Sequence, residues 1–243
     1  MSIELHNVTK KVRLGHVRLT YEDLNLHIPD SASVALLGYK EAGLEAITNL
    51  ICAADAPDKG RVVRSHSISW PIPSSSFVAS HLPLVSSARF IARLYEVDEN
   101  AYVAKLEELG RFGDWFGTTV KLCPGEIRSL FSFLCGITLP FDQYIFTGLN
   151  VGPKNERGRI GEMLDELRQR AGFLLIGQDV KNAQAYCSQA YVFDQGQATF
   201  YDDMEAAIEH FSTIEKQDIE NDGFMADSEL EDLVNGDFQN AII

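Results

Sequence analysis

At 243 residues, with 45% hydrophobic and 10% aromatic side chains, the chain is long enough to bury a substantial core as one large α/β domain. Its formal net charge of -14 excludes nucleic acid as the main partner and electrostatic adhesion to an anionic membrane surface, since both need clustered Lys and Arg. Nine acidic residues and one lysine fall between Glu215 and Ile243, so the domain proper spans 1–213 and an acidic tail follows over 214–243. The tail reads either as a mobile, solvated segment or as one that docks through Phe224 to Leu233.

The elements follow in order. "SIELHNV" and "VRLTYEDLNLHI" alternate with period 2 and predict an antiparallel layer. "SVALLG" is a short apolar run closed by glycine, as in a buried parallel strand. In "GLEAITNLICAA" the residues Leu44, Ile47, Leu50 and Ile51 keep helical spacing. "PDKG" is a turn, and "RVVRSHSISW" makes one or two short strands. The stretch 71–83 is Pro/Ser-rich and irregular, followed by two amphipathic helices in "VSSARFIARLYEV" and "ENAYVAKLEELGRF". In "GEIRSLFSFLCGITLP" a helix face runs through Ile127, Leu130, Phe131, Leu134, Cys135 and Thr138. "FDQYIFTG" and "GFLLIGQD" are further buried strands around the helix "ERGRIGEMLDELRQRA". Helix "NAQAYCS", hairpin "QAYVFDQGQATFY" and helix "DDMEAAIEHFS" close the domain. Alternating strands and helices predict a mainly parallel sheet flanked by helices, with the antiparallel layer added at the N-terminus.

The four cysteines show no C-x-x-C spacing, and no His/Cys/Glu cluster has zinc-ligand spacing, so no metal site is expected from them. The start "MSIELHNVTK" is not a signal peptide, and no apolar window is long enough to span a bilayer. A cytoplasmic location without direct membrane insertion is expected.

The stretch "LLGYKEAGLEA" has the spacing of a phosphate loop, G-x-x-x-x-G-K-[S/T], between a strand and a helix. Gly38 and Gly43 keep the glycines, Lys40 and Glu41 lie between them, and Leu44 and Glu45 stand at the lysine and hydroxyl positions. The carboxylate of Glu41 or Glu45 could cap the helix from within the loop, or both acids could point to solvent.

Beyond the loop, "ISWP" and "FIARLY", with "FDQYIF" and "FLLIGQDVKNAQAYCSQAYVFDQG", resemble the ATPase subunit of ABC transporters, closest to those of bacterial capsular polysaccharide exporters. The resemblance covers roughly residues 2 to 212 and implies a P-loop NTPase-like ABC ATPase fold with a helical subdomain at about 72–140. Against that pattern the sequence departs at many positions. Leu44 replaces the loop lysine and Glu45 the magnesium-binding hydroxyl. Val12 lies near the adenine-stacking aromatic, and Ala79 near the family's glutamine. The signature is "LCPGE", with Cys123, Pro124 and Gly125. Thr147 and Gly148 stand at the Walker B carboxylates, Gln178 at the switch histidine, and "NVGPK" lacks an aspartate.

Phosphoryl transfer rests on positioning and on neutralising charge, so these losses imply a pseudo-ATPase with ATP and magnesium binding lost. Lys40 reads as an exposed lysine or as an alternative phosphate contact; Asp142 begins its strand and Asp179 caps the next helix, so neither is a substitute carboxylate. The resemblance further implies a homo- or heterodimer, docking on a membrane permease or an active ABC ATPase, and a peripheral position on the cytoplasmic face of the inner membrane. Residues 72–95 are the expected permease contact, with Phe77, Leu82, Leu84 and Phe90 as candidates, although core packing of an amphipathic helix is the simpler reading of Phe90 and Leu94. A structural transporter subunit, a soluble regulatory partner and an unconventional nucleotide binder all fit this sequence.

Overall fold

The computed structural model describes residues 2–14, 17–39, 42–73 and 80–214. Strands β1 (Ser2–Leu14) and β2 (Val17–Pro29) form a long antiparallel ribbon, and β4 (Lys59–Arg64) pairs antiparallel along the other edge of β1. A second sheet has the order β5-β6-β7-β3-β8-β9, built from β3 (Val34–Leu37), β5 (Ile68–Ile72), β6 (Gln143–Phe146), β7 (Gly172–Gly177), β8 (Gln189–Asp194) and β9 (Gln197–Tyr201). All its pairings are parallel except the β8–β9 hairpin. This is the expected α/β architecture, a mostly parallel sheet with an antiparallel layer.

The central strand shows why the sequence folds this way. All four residues of β3 are buried, as a strand covered on both faces requires. Ala35 and Leu37 face a core shared with six helices, while Val34 and Leu36 face a second core shared with the antiparallel ribbon. Helix α1 (Leu44–Ile51) belongs to the ribbon side, where Leu44, Ile47, Leu50 and Ile51 are buried at helical spacing. On the other face lie α2 (Leu84–Leu94), α3 (Glu99–Gly110), α4 (Gly125–Ile137), α5 (Arg157–Arg168), α6 (Val180–Tyr186) and a helical run over 204–214, here α7.

Helix α4 is buried on more than the single face its sequence predicts: every residue from Leu130 to Ile137 is buried. The cause is close approach to the sheet. A Cβ at Gly136 would lie 2.4 Å from Ile72 Cδ1, so only glycine lets α4 sit this near β5. The starts of two helices are set by side chains. Asp98 accepts the Ala101 amide proton at the start of α3, and Asp179 accepts that of Asn182 at the start of α6.

Candidate functional site

The carboxyl ends of β3, β6 and β7 meet on one edge of the parallel sheet, where ligands of open α/β sheets bind. Leu37 is in register with Gly177, and the Gly38 N–H donates to the Gly177 carbonyl at 3.2 Å. Phe146 is in register with Leu175, which brings Thr147 and Gly148 beside Gln178. Together with Leu37 and Asp179 these residues line a hollow of about 50 Å³. The fold thus assembles three of the sequence-selected segments: the loop entry, the Thr147-Gly148 pair and Gln178.

The loop is built from both sides. On its entry side, Gly38 is crowded: an added Cβ would lie 2.9 Å from Ala42 Cβ and 3.1 Å from Leu44 Cδ1. The glycine at the start of the loop therefore makes room for the packed Ala42 and Leu44 side chains. On the exit side, Gly43 has φ 67°, a left-handed conformation that favours glycine, and it caps α1. Within the loop the Ala42 N–H donates to the Tyr39 carbonyl at 3.0 Å. The Ala42 carbonyl accepts the hydroxyl proton of Tyr21, which is wholly buried on β2. Burial raises the Tyr21 pKa above that of a free tyrosine, so this hydroxyl is a permanent donor. Tyr21 also packs edge-on against Phe193 of β8, with ring centroids 6.1 Å apart.

Leu44 is buried with the ribbon-side core, whereas Glu45 is exposed and makes no cap to the helix. The self-capping arrangement is thus absent at Glu45, which points to solvent in the first turn. Lys40, Glu41, Phe77 and Ala79 lie outside the described residues.

What the described residues of the loop offer a ligand is backbone. The first amides of a helix have no acceptor within it. Among the described residues no backbone acceptor meets the amides of Gly43, Leu44 and Glu45, while Ala46 N–H already donates to Gly43. The positive end of α1 suits a phosphate-type anion. The side chains suit a metal less well: among the described residues no cluster of three His, Cys, Asp or Glu could hold an ion. Asp142 is at the opposite end of β6, where its carboxylate accepts the Ser67 hydroxyl (2.6 Å) and amide (2.9 Å), and the hydroxyl bond foremost holds its pKa below the usual aspartate value. Asp179 is engaged as the cap of α6.

The remaining sequence-selected residues are dispersed. Val12 is paired with Leu19 in the ribbon. Cys123 is buried at the foot of α4, where its thiol lies 3.5 Å from the Thr119 carbonyl and burial raises its pKa. Pro124 is the N-cap and Gly125 the first residue of α4; both are exposed. A groove of about 570 Å³ runs past Gly125 between Lys121 and Arg128.

Helix α2 differs most from expectation. Leu84, a candidate partner contact, is wholly buried and offers no surface, and Leu82 is partly buried with its carbonyl accepting the Val120 N–H at 2.9 Å. Phe90 and Leu94, for which core packing is the simpler reading, are instead 56% and 54% exposed. The helix buries Leu84, Ser87, Ala88, Ile91 and Ala92, because small side chains let it approach α3 closely, and that phase turns the bulky pair outward. Tyr21, Tyr39 and Phe211 are the functional neighbours that sequence reasoning missed. The only signal for Tyr21 is its inward phase in a strand, which any core tyrosine shares.

No protein-family model matches the chain. Its homologues among curated proteins are capsule and polysaccharide export ATP-binding proteins. The polysialic acid transport ATP-binding protein KpsT of Escherichia coli is 26% identical over 223 residues, covering 90% of this chain and all of that protein. The ATP-binding protein BexA of Haemophilus influenzae is 25% identical, over 88% of this chain and all of that one. The capsule polysaccharide export ATP-binding protein CtrD of Neisseria meningitidis is 26% identical, over 87% and 99% respectively. Solved ABC domains share the fold: an ATP-binding subunit of an ABC transporter aligns with TM-score 0.71 at 17% identity, over 83% of this chain and 90% of that one. An ATP-binding cassette solved as a dimer with ADP and Pi aligns with TM-score 0.68 at 13% identity, over 82% and 97%.

These relatives overturn two expectations. The loss of ATPase activity, and the loss of ATP and magnesium binding, are corrected by end-to-end homologues that are named ATP-binding proteins. The expectation let side-chain substitutions outweigh the backbone N–H groups that remain at the start of α1.

Proposed function

We propose that this chain, which has the ABC ATPase fold and capsule-export ATP-binding proteins as its homologues, is the nucleotide-binding subunit of a polysaccharide export system. The observation that carries this reading is the match to three such exporters along nearly their whole lengths. In this reading the phosphates of ATP meet the amides of Gly43, Leu44 and Glu45, and the dipole of α1 adds to the attraction. Thr147 and Gln178 border the same edge of the sheet and contribute polar side chains there.

The subunit docks on a membrane permease and pairs with a second copy or with another ABC ATPase subunit. The exposed pair on α2 supports the docking: Phe90 and Leu94 lie one turn apart, flanked by Arg89 and Arg93, which are paired with Glu99. Two bulky apolar side chains on an otherwise charged helix face suit a protein partner. Among the described residues no helix is long and apolar enough to cross a membrane, so attachment at the cytoplasmic face of the inner membrane would come through that partner. Co-isolation with the permease of a capsule export system tests this directly. The Phe90→Asp/Leu94→Asp variant is expected to keep its unfolding midpoint and lose the permease; retention of the permease by that variant would place the docking surface elsewhere.

A further inference from the structure

Two residues that precede α1 in the loop, Tyr39 and Ala42, are held by aromatic side chains from opposite layers. Tyr21, on the ribbon side, fixes the Ala42 carbonyl. On the other side the ring of Tyr39 lies flat on Phe211 of α7, with centroids 4.7 Å apart and planes within 9°. Tyr39 directly follows Gly38, and its carbonyl receives the Ala42 N–H, so its backbone is part of the turn that leads into α1.

Phe211 itself has a rigid seat. It is 2% exposed in the helical-side core with Met204, Ala207 and Ile214, and α7 is tied to β9 by a 2.9 Å hydrogen bond between the Tyr201 hydroxyl and His210 Nδ1. Tyr39 is only partly buried. Of the two rings, Phe211 is the more deeply buried.

We infer that Phe211 is a positioning residue for the phosphate loop: by stacking on Tyr39 it lets α7 set the conformation in which the loop presents its amides. This rests on the nucleotide reading for its functional consequence, but not for its structural content.

The test is hydrogen exchange of the peptide spanning residues 36–46, read beside MgADP titration, in Phe211→Leu, Tyr39→Leu, Tyr39→Phe and the double leucine variant. An aromatic pair is worth roughly a 2- to 10-fold change in an equilibrium. Phe211→Leu and Tyr39→Leu are each expected to speed loop exchange by about that factor and to weaken MgADP by a similar one. Tyr39→Phe keeps the stacked ring and should lie closer to wild type than Tyr39→Leu. Because both leucine variants break the same contact, the double variant should be no faster in the loop than either single one. Additive effects, or unchanged loop exchange with a lowered unfolding midpoint, would overturn the inference and leave Phe211 as core packing. If Phe211→Leu does not fold, the more exposed Tyr39 variants decide the matter. Wild-type protein that binds no MgADP would refute the nucleotide reading, while the exchange results would still decide the stack.

Discussion

Removing one hydroxyl tests how the loop is held. In Tyr21→Phe the ring keeps its place against Phe193, and the Ala42 carbonyl loses the Tyr21 hydroxyl, its one side-chain donor among the described residues. A buried hydrogen bond contributes about 0.5–1.5 kcal/mol net, and leaving its acceptor unsatisfied costs about 1–3 kcal/mol. Since Tyr21 is fully buried and Ala42 is 5% exposed, water cannot easily replace the lost donor, and a loss of about 1–2 kcal/mol is expected. For a domain of this size that lowers the thermal midpoint by about 2–8 °C. Differential scanning calorimetry of wild type and variant, with exchange of the 36–46 peptide, gives both readouts. A midpoint shift below about 1 °C with unchanged loop exchange would refute the reasoning, because the hydroxyl would then carry no net energy.

Gly136→Ala should destabilise by about 1–3 kcal/mol through overpacking against Ile72, and Ile72→Val in the same chain should recover part of that loss; denaturant unfolding midpoints check both. Asp98→Ala removes the N-cap of α3 and should cost about 1 kcal/mol, again read from unfolding midpoints. Asp142 has a folded-state pKa below its unfolded value, so its contribution is present above the unfolded pKa and is lost as pH falls through the folded one. Asp142→Asn should therefore flatten the acid limb of a stability-against-pH profile below about pH 4, and an unchanged limb would show that the Ser67 contact has no weight.

Much of the fold was legible because its signals are local. "VALL" is apolar at every position, and a strand buried on both faces needs nothing else. The glycine spacing of the loop was also legible, since Gly43 requires its positive φ and Gly38 its close packing. The phase of α2 was not legible. Its apolar residues fit two helix faces, and the choice was made by how closely α3 could approach, a tertiary fact that favours Ala88 and Ala92 over Phe90 and Leu94. The aromatic supports of the loop were invisible for a similar reason: Tyr21, Tyr39 and Phe211 are far apart in sequence and join only in the fold. The expectation about nucleotide failed at a different step. It counted side chains at Leu44, Glu45, Thr147 and Gly148, whereas the amides at the start of α1 are the same whatever side chains they carry.

The central claim is that the loop binds nucleotide through those amides. Calorimetric titration of the full chain with MgATP and MgADP tests it most directly. The account predicts saturable heat with a Kd at or below about 1 mM, equivalent to about 4 kcal/mol, and a raised unfolding midpoint in the presence of nucleotide. No heat and no thermal stabilisation at millimolar nucleotide would contradict it.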